Sequence, residues 1–289
     1  NLPGTNTPDL VQSVTGRVFV AKSPEAFTHD DDGNLTQDGR FVYTWDGENR
    51  LVSVETRSDL PASVPRVKVT YAYDHQSRRI EKEVSHYENN AWTVAEFRSF
   101  LYDRWNMIRE TIDNQQSAIT NSLVWGLDLS GSLQGAGGVG GLLAEVQDGV
   151  PYFATYDANG NVTDYTDSFG TLAAHYEYSP FGETLIQSGF LADTFAFRFS
   201  TKYWENEANL YYYGYRFYSP ELGRWLSRDP IGEAFQRHLY GFVKNNGVRY
   251  VDLLGLLTIY IGGAGERTLG MLEKLHAESG CDEAFDNKQ

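Results

Sequence analysis

The chain has 289 residues, enough to bury most of its apolar surface as one large domain or two ordinary ones, so length alone leaves the domain count open. Its formal charge of −15, with no local run of Lys or Arg, repels phosphate backbones and anionic headgroups and excludes nucleic acid as a partner of the body of the protein. The single cysteine, Cys281, excludes an intrachain disulfide framework and a cysteine-based zinc cluster, no metal or cofactor constellation is present, and no apolar run is long enough to span a bilayer.

With 19 Tyr, 16 Phe and 28 Gly, the chain suits many short strands with one wet face, because Tyr couples a large apolar body to a hydrogen-bonding tip. An all-β fold is therefore expected. The N-terminal NLPGTNTPDLVQS has neither the basic nor the apolar region of a signal peptide. The first residue is not Met and repeats begin almost at once, so export by another route, or excision from a longer array, is the expectation.

One theme then recurs: an alternating aromatic strand ending in Tyr-Asp or its equivalent, a turn, and an Arg or Asn opening the return strand. THDDDGNLTQDG (28–39) is a degenerate copy, YTWDGENRLVSVE (43–55) the clearest, and VTYAYDHQSRRIEKEV (69–84), SFLYDRWNMIRETI (99–112) and FATYDANGNVTDYT (153–166) follow. Alternation places every second side chain on one face, and pairs such as Asp46-Gly47 tolerate the positive φ of tight hairpins. A lone hairpin cannot bury its apolar face, so these units are expected to stack into one extended, curving sheet.

The glycine-rich SGSLQGAGGVGGLLAEVQDG (130–149) lacks the Lys-Ser/Thr of a phosphate loop and reads as a flexible or close-packed connection. Beyond it, HYEYSPFGETLIQ (175–187) carries a turn at Pro180 and Gly182, and LYYYGYRFYSPELGRWLSRDPIG lays down strand, turn and strand with aromatics suited to core packing. Asp229 precedes Pro230 and Gly232, and Asp252 precedes Gly255 and Leu256. On the residues alone, each is an ordinary turn opener whose carboxylate accepts backbone N–H groups.

The stretch from Phe197 to Leu256, FRFSTKYWENEANLYYYGYRFYSPELGRWLSRDPIGEAFQRHLYGFVKNNGVRYVDLLGL, resembles the Rhs-repeat-associated core of bacterial polymorphic toxins and of the Tc toxin C component. The hairpins resemble the YD repeats of the same proteins. The resemblance implies a cocoon-like YD-repeat β shell over residues 1–175, a core with an autoproteolytic motif over 176–256, and the start of a C-terminal effector over 257–289. It also implies self-cleavage between Leu256 and Leu257 by the pair Asp229 and Asp252, with Arg224 as an auxiliary cation in the Gly-Arg-Trp position. Two carboxylates close together in a dry enclosure cannot both ionise cheaply, which supplies one acid and one base. Two departures, Leu253 for Pro and Gly247 for Pro, remove rigid φ angles near the scissile segment and would loosen its geometry. His238 falls where the family usually carries a polar residue such as Asn, and reads as a packed or exposed side chain.

The partners implied are the chain's own effector segment, a secretion-system delivery protein and an immunity protein; the implied setting is a secreted effector or bacterial cell surface, after synthesis in the cytoplasm. The final residues read as a strand (LTIYI), a glycine turn and an amphipathic helix from about Glu266 to Glu278, a short α/β segment. Two other classes stay open: a non-enzymatic YD-repeat surface or adhesion scaffold, as in the teneurins, and a carbohydrate-binding β protein suggested by the many Tyr and Trp.

Overall fold

The computed structural model describes residues 19–232, 238–256 and 258–260. Leu257, the expected helix 266–278 and Cys281 lie outside the described residues. The hairpins arise from a local hydrogen-bond unit. In YTWDGENR, Oδ1 of Asp46 accepts the N–H groups of Glu48 and Arg50, while Nε of Arg50 returns a bond to Oδ2 of Asp46. Asp74 with Arg78, Asp157 with Asn161 and Asp30 with Asn34 repeat it at the same spacing of four. The left-handed residue in each unit is the one before the partner: Asn49, Ser77, Gly160 and Gly33. In the clearest repeat this corrects the expected role of Asp46-Gly47, since the positive φ falls on Asn49 and Asp46 serves as the acceptor that closes the turn.

These turns connect a meander: β1 (Thr28–His29), β2 (Leu35–Gln37), β3 (Phe41–Trp45), β4 (Leu51–Thr56), β5 (Val67–Tyr73), β6 (Arg79–Glu88), β7 (Ala91–Asp103), β8 (Asn106–Asp113), β9 (Ala118–Trp125), β10 (Leu142–Gln147), β11 (Val150–Tyr156), β12 (Val162–Thr166), β13 (Leu172–Tyr178) and β14 (Thr184–Ser188). They form one 14-stranded antiparallel sheet in which every strand pairs with its neighbours in sequence. The all-β expectation holds, and the sheet runs unbroken past residue 175 to Ser188. A smaller sheet follows, with β15 (Tyr203–Glu205), β16 (Leu210–Tyr212), β17 (Phe217–Ser219) and β18 (Arg224–Trp225), then a pair, β19 (Tyr250–Asp252) and β20 (Thr258–Tyr260).

One buried cluster joins the two larger sheets: Val69, Tyr71, Val84, Phe100 and Leu123 of the meander pack with Tyr203, Leu210, Tyr212 and Phe217. The alternation of the meander strands supplies this face, and the Tyr-rich strands of the small sheet cover it. The seam also holds charges. Glu205, fully buried, pairs with Arg79 and with Lys82 at 2.9 Å, and Lys82 reaches Glu207 at 2.6 Å. Nearby, Oε1 of Glu110 accepts from Arg98 at 2.9 Å and from the Tyr203 hydroxyl at 2.6 Å.

Removing one member of such a network leaves an uncompensated buried charge. Glu205→Ala should cost about 3–5 kcal/mol, read as a lowered urea midpoint, because it strands Arg79 and Lys82 away from water.

Candidate active site

The two aspartates of the sequence reading meet at one guanidinium. Arg216, on the turn between β16 and β17, is almost wholly buried, and its Nη2 lies 2.9 Å from Oδ2 of Asp229 and 3.8 Å from Oδ2 of Asp252. Its Nε donates to the Gly255 carbonyl and its Nη1 to the Leu239 carbonyl at 3.2 Å. The guanidinium face lies 4.2 Å from the ring centroid of Trp225, which belongs to an aromatic cluster with Tyr213, Tyr218 and Phe242. The aromatic run thus packs a core, as read, and also walls the site with rings that exclude water.

Asp252 ends β19 and folds its carboxylate over the next turn. Its Oδ1 accepts the N–H groups of Gly255 at 2.6 Å and Leu256 at 3.0 Å, and its buried Oδ2 carries no hydrogen bond. Asp229 opens the Asp-Pro-x-Gly turn: its Oδ1 accepts the Ile231 N–H at 3.1 Å and its backbone carbonyl accepts that of Gly232 at 2.9 Å. Both residues are therefore turn openers, and both also face a shared cation.

The residues between Asp252 and Leu256 form a strap held carbonyl by carbonyl. Leu253 O accepts from Nζ of Lys202 at 2.5 Å, Leu254 O from the Tyr215 N–H at 3.0 Å, and Gly255 O from Arg216. The strap belongs to the loop joining β19 to β20, whose register pairs Asp252 with Thr258. The bond expected to be cut, Leu256–Leu257, thus lies in this loop. The glycine-rich segment packs beneath: Ala136 and Val139 form a buried cluster with Val251, against which Leu253 rests. It is a close-packed connection.

Burial pushes the carboxyls of both Asp252 and Asp229 up from their ordinary value. Arg216 opposes this for each; for Asp252 the Gly255 and Leu256 N–H groups and Lys202 oppose it further, whereas Asp252 itself adds to the upward shift of Asp229. Arg216 is lowered by the same burial, offset by the two carboxylates. The arrangement places two carboxyls that favour protonation beside one cation that favours ionisation, the electrostatics from which an acid and a base can be drawn.

Arg224 takes no part in this contact. Its guanidinium lies 4.6 Å from the Tyr240 ring centroid, and the cation between the carboxylates is Arg216. His238 is exposed. Sequence reasoning missed Arg216 and Lys202; the available signal was a charge inside an otherwise aromatic run, YYYGYRFYS and FSTKYW, where alternation predicts burial. Among the described residues no His, Cys or carboxylate cluster could hold a metal ion, and no helix is long and apolar enough to cross a membrane.

The sequence matches the teneurin YD-shell family model over residues 4–248. It is 30% identical over 233 residues to the tRNA3(Ser)-specific nuclease WapA of Bacillus spizizenii, covering 79% of this chain and 9% of the relative, and 32% identical over 193 residues to toxin subunit YenC1 of Yersinia entomophaga, covering 65% and 19%. The chain thus spans under a fifth of the length of either relative. The fold is similar to that in the crystal structure of TcdB2-TccC3 with Cdc42, at a TM-score of 0.63 and 23% identity over 79% of this chain and 11% of that one. It is likewise similar to the Photorhabdus luminescens Tc holotoxin pore, at a TM-score of 0.63 and 22% identity over 83% of this chain and 11% of that one.

A carboxyl raised by the fold binds more protons folded than unfolded, so its effect on stability worsens as pH rises from the unfolded value, 3.8, through the folded one. Arg216→Met removes the cation that opposes this shift. The variant should lose about 3–5 kcal/mol at pH 8 and distinctly less at pH 5, where the stranded carboxyls can take up protons, as measured by urea midpoints at the two pH values.

Proposed function

The chain belongs to the teneurin YD-shell family, and from that premise we propose that it is part of an Rhs-type toxin whose β shell encloses a C-terminal effector and frees it by cutting Leu256–Leu257 with Asp229 and Asp252. The observation that carries this reading is the convergence of two carboxyls, 23 residues apart in sequence, on Arg216, with one of them bonded to the Leu256 N–H. The loop that they face is pinned at three successive carbonyls, the kind of pre-ordering that turns a peptide into a near-attack substrate.

In the proposed reaction the ionised carboxyl takes a proton from water as its oxygen bonds to the Leu256 carbonyl carbon. The protonated carboxyl then supplies a proton to the departing Leu257 amine as the C–N bond breaks. Oδ2 of Asp252, which makes no hydrogen bond and lies 3.8 Å from Arg216 Nη2, is the proton acceptor assigned in this proposal. Arg216, fixed by both carboxylates and by the Gly255 carbonyl, takes the auxiliary place that the resemblance gave to Arg224. The reaction is a single turnover in cis. Its partner is the effector segment, and delivery as a secreted bacterial toxin, with a secretion-system protein and an immunity protein, completes the proposal.

Intact-mass analysis of the purified chain provides the test. The native sequence should give two species broken after Leu256, whereas Asp229→Asn and Asp252→Asn should each stay whole while keeping the native circular dichroism. A native chain that remains uncut would instead favour a non-enzymatic scaffold.

A further inference from the structure

Lys202 is buried between the glycine-rich segment and the strap, in the turn that precedes β15. Its Nζ donates to the carbonyls of Gly137 at 2.8 Å and Leu253 at 2.5 Å, so one ammonium ties two backbone segments together. Both segments are independently braced. Asp128, also buried, accepts the N–H groups of Ala136 at 2.7 Å and Gly138 at 3.1 Å through Oδ2, and the N–H and hydroxyl of Ser130 through Oδ1. Thr201 accepts the Gly140 N–H at 2.8 Å. Gly137 sits at φ +63°, and a Cβ there would collide with the Leu253 carbonyl. The glycine-rich segment is therefore a rigid bed shaped to the strap, with Lys202 as the fastening.

We propose that Lys202 is a positioning residue for cleavage of Leu256–Leu257, holding the strap on the bed formed by residues 135–141 so that the Leu256 carbonyl is presented to the aspartate pair. This rests on the function proposed above. Ammonium hydrogen bonds to carbonyls are stronger than neutral ones, and the half-buried Leu253 carbonyl has Lys202 as its donor. Lys202 also lines, with Leu254, Tyr213 and Trp105, a cavity of about 40 Å3, so a side chain of similar length can replace it without crowding.

Burial pushes the Lys202 ammonium down to about 8, against the opposing charges of Asp252 and Asp128. The other titratable groups around it are Tyr213, whose ring centroid lies 5.4 Å from Nζ and whose hydroxyl is raised well above its usual value by burial, and Arg216 beyond Asp252. A fastening that depends on the ammonium weakens as pH rises through the lysine value, which gives cleavage an alkaline limb.

The test is processing of the full chain made by cell-free synthesis, quenched at intervals between pH 6 and 9 and read as the fraction cut. Lys202→Met should slow cutting at pH 7 by about ten-fold or more and remove the alkaline limb, and Lys202→Arg should restore most of the rate with the limb moved beyond pH 9. Gly137→Ala, which displaces the Leu253 carbonyl but leaves the ammonium itself in place, should slow cutting but keep the limb. In the uncut Asp229→Asn background, Lys202→Met should speed amide exchange of the peptide containing Gly255 and Leu256. Unchanged rate and pH profile in Lys202→Met, or failure of Lys202→Arg to restore cutting, overturns the proposal, as does unchanged exchange. A native chain that is never cut overturns the function on which it rests as well.

Discussion

The structure depends on a stitch between successive hairpins. In several hairpins the aromatic residue that ends the strand before the turn donates to a main-chain carbonyl of the hairpin before it: Trp45 to Leu35, Tyr73 to Leu51 and Tyr178, which precedes Ser179, to Val162, at 2.6–2.8 Å. Tyr156 reaches back to Leu142 in the same way. Each acceptor opens a strand, immediately after a turn in the repeats at Leu35, Leu51 and Val162. The Tyr-Asp pair thus has a division of labour, in which the carboxylate closes its own turn and the aromatic ring locks that turn to its predecessor. Ladder bonds alone would hold neighbouring strands; the stitch also fixes register along the strand axis, where a slip of one residue would invert every side chain.

A sheet so fixed offers one continuous apolar face, and the small sheet that covers it makes the site dry. Dryness has two consequences in the same place. It raises the carboxyls of Asp229 and Asp252, and it draws charges at the seam into pairs, as Glu205 is drawn onto Arg79 and Lys82. Stability and candidate chemistry draw on the same desolvation, so the cations that settle the seam and those that settle the site are equally buried.

Much of this was legible because it is local. The hairpins at 43–55, 69–84 and 153–166 are written in alternation and in an aspartate four residues from its partner, and that at 99–112 in alternation alone; these signals lie within one hairpin. The aspartate motifs were legible as turn openers for the same reason. Arg216 and Lys202 were not, since their partners lie 13 to 65 residues away and pairwise distance in space leaves no mark on spacing in sequence. The substitutions at 247 and 253 were expected to loosen the scissile segment. At 247 a side chain has no room, because a Cβ would strike the Pro180 carbonyl, and the Gly247 carbonyl is held by Asn159 at 3.0 Å. At 253 the backbone is anchored by Lys202 instead of by a proline ring.

Antiparallel pairing of β19 with β20 places partnered strands on both sides of the loop that contains Leu256. Hydrolysis there would sever the covalent thread and leave the main-chain ladder intact, so the downstream piece would stay moored as a noncovalent edge strand. Its departure would then require those rungs to be peeled apart, a mechanical step with its own barrier, answerable to traction or unfolding rather than to the chemistry of the aspartates.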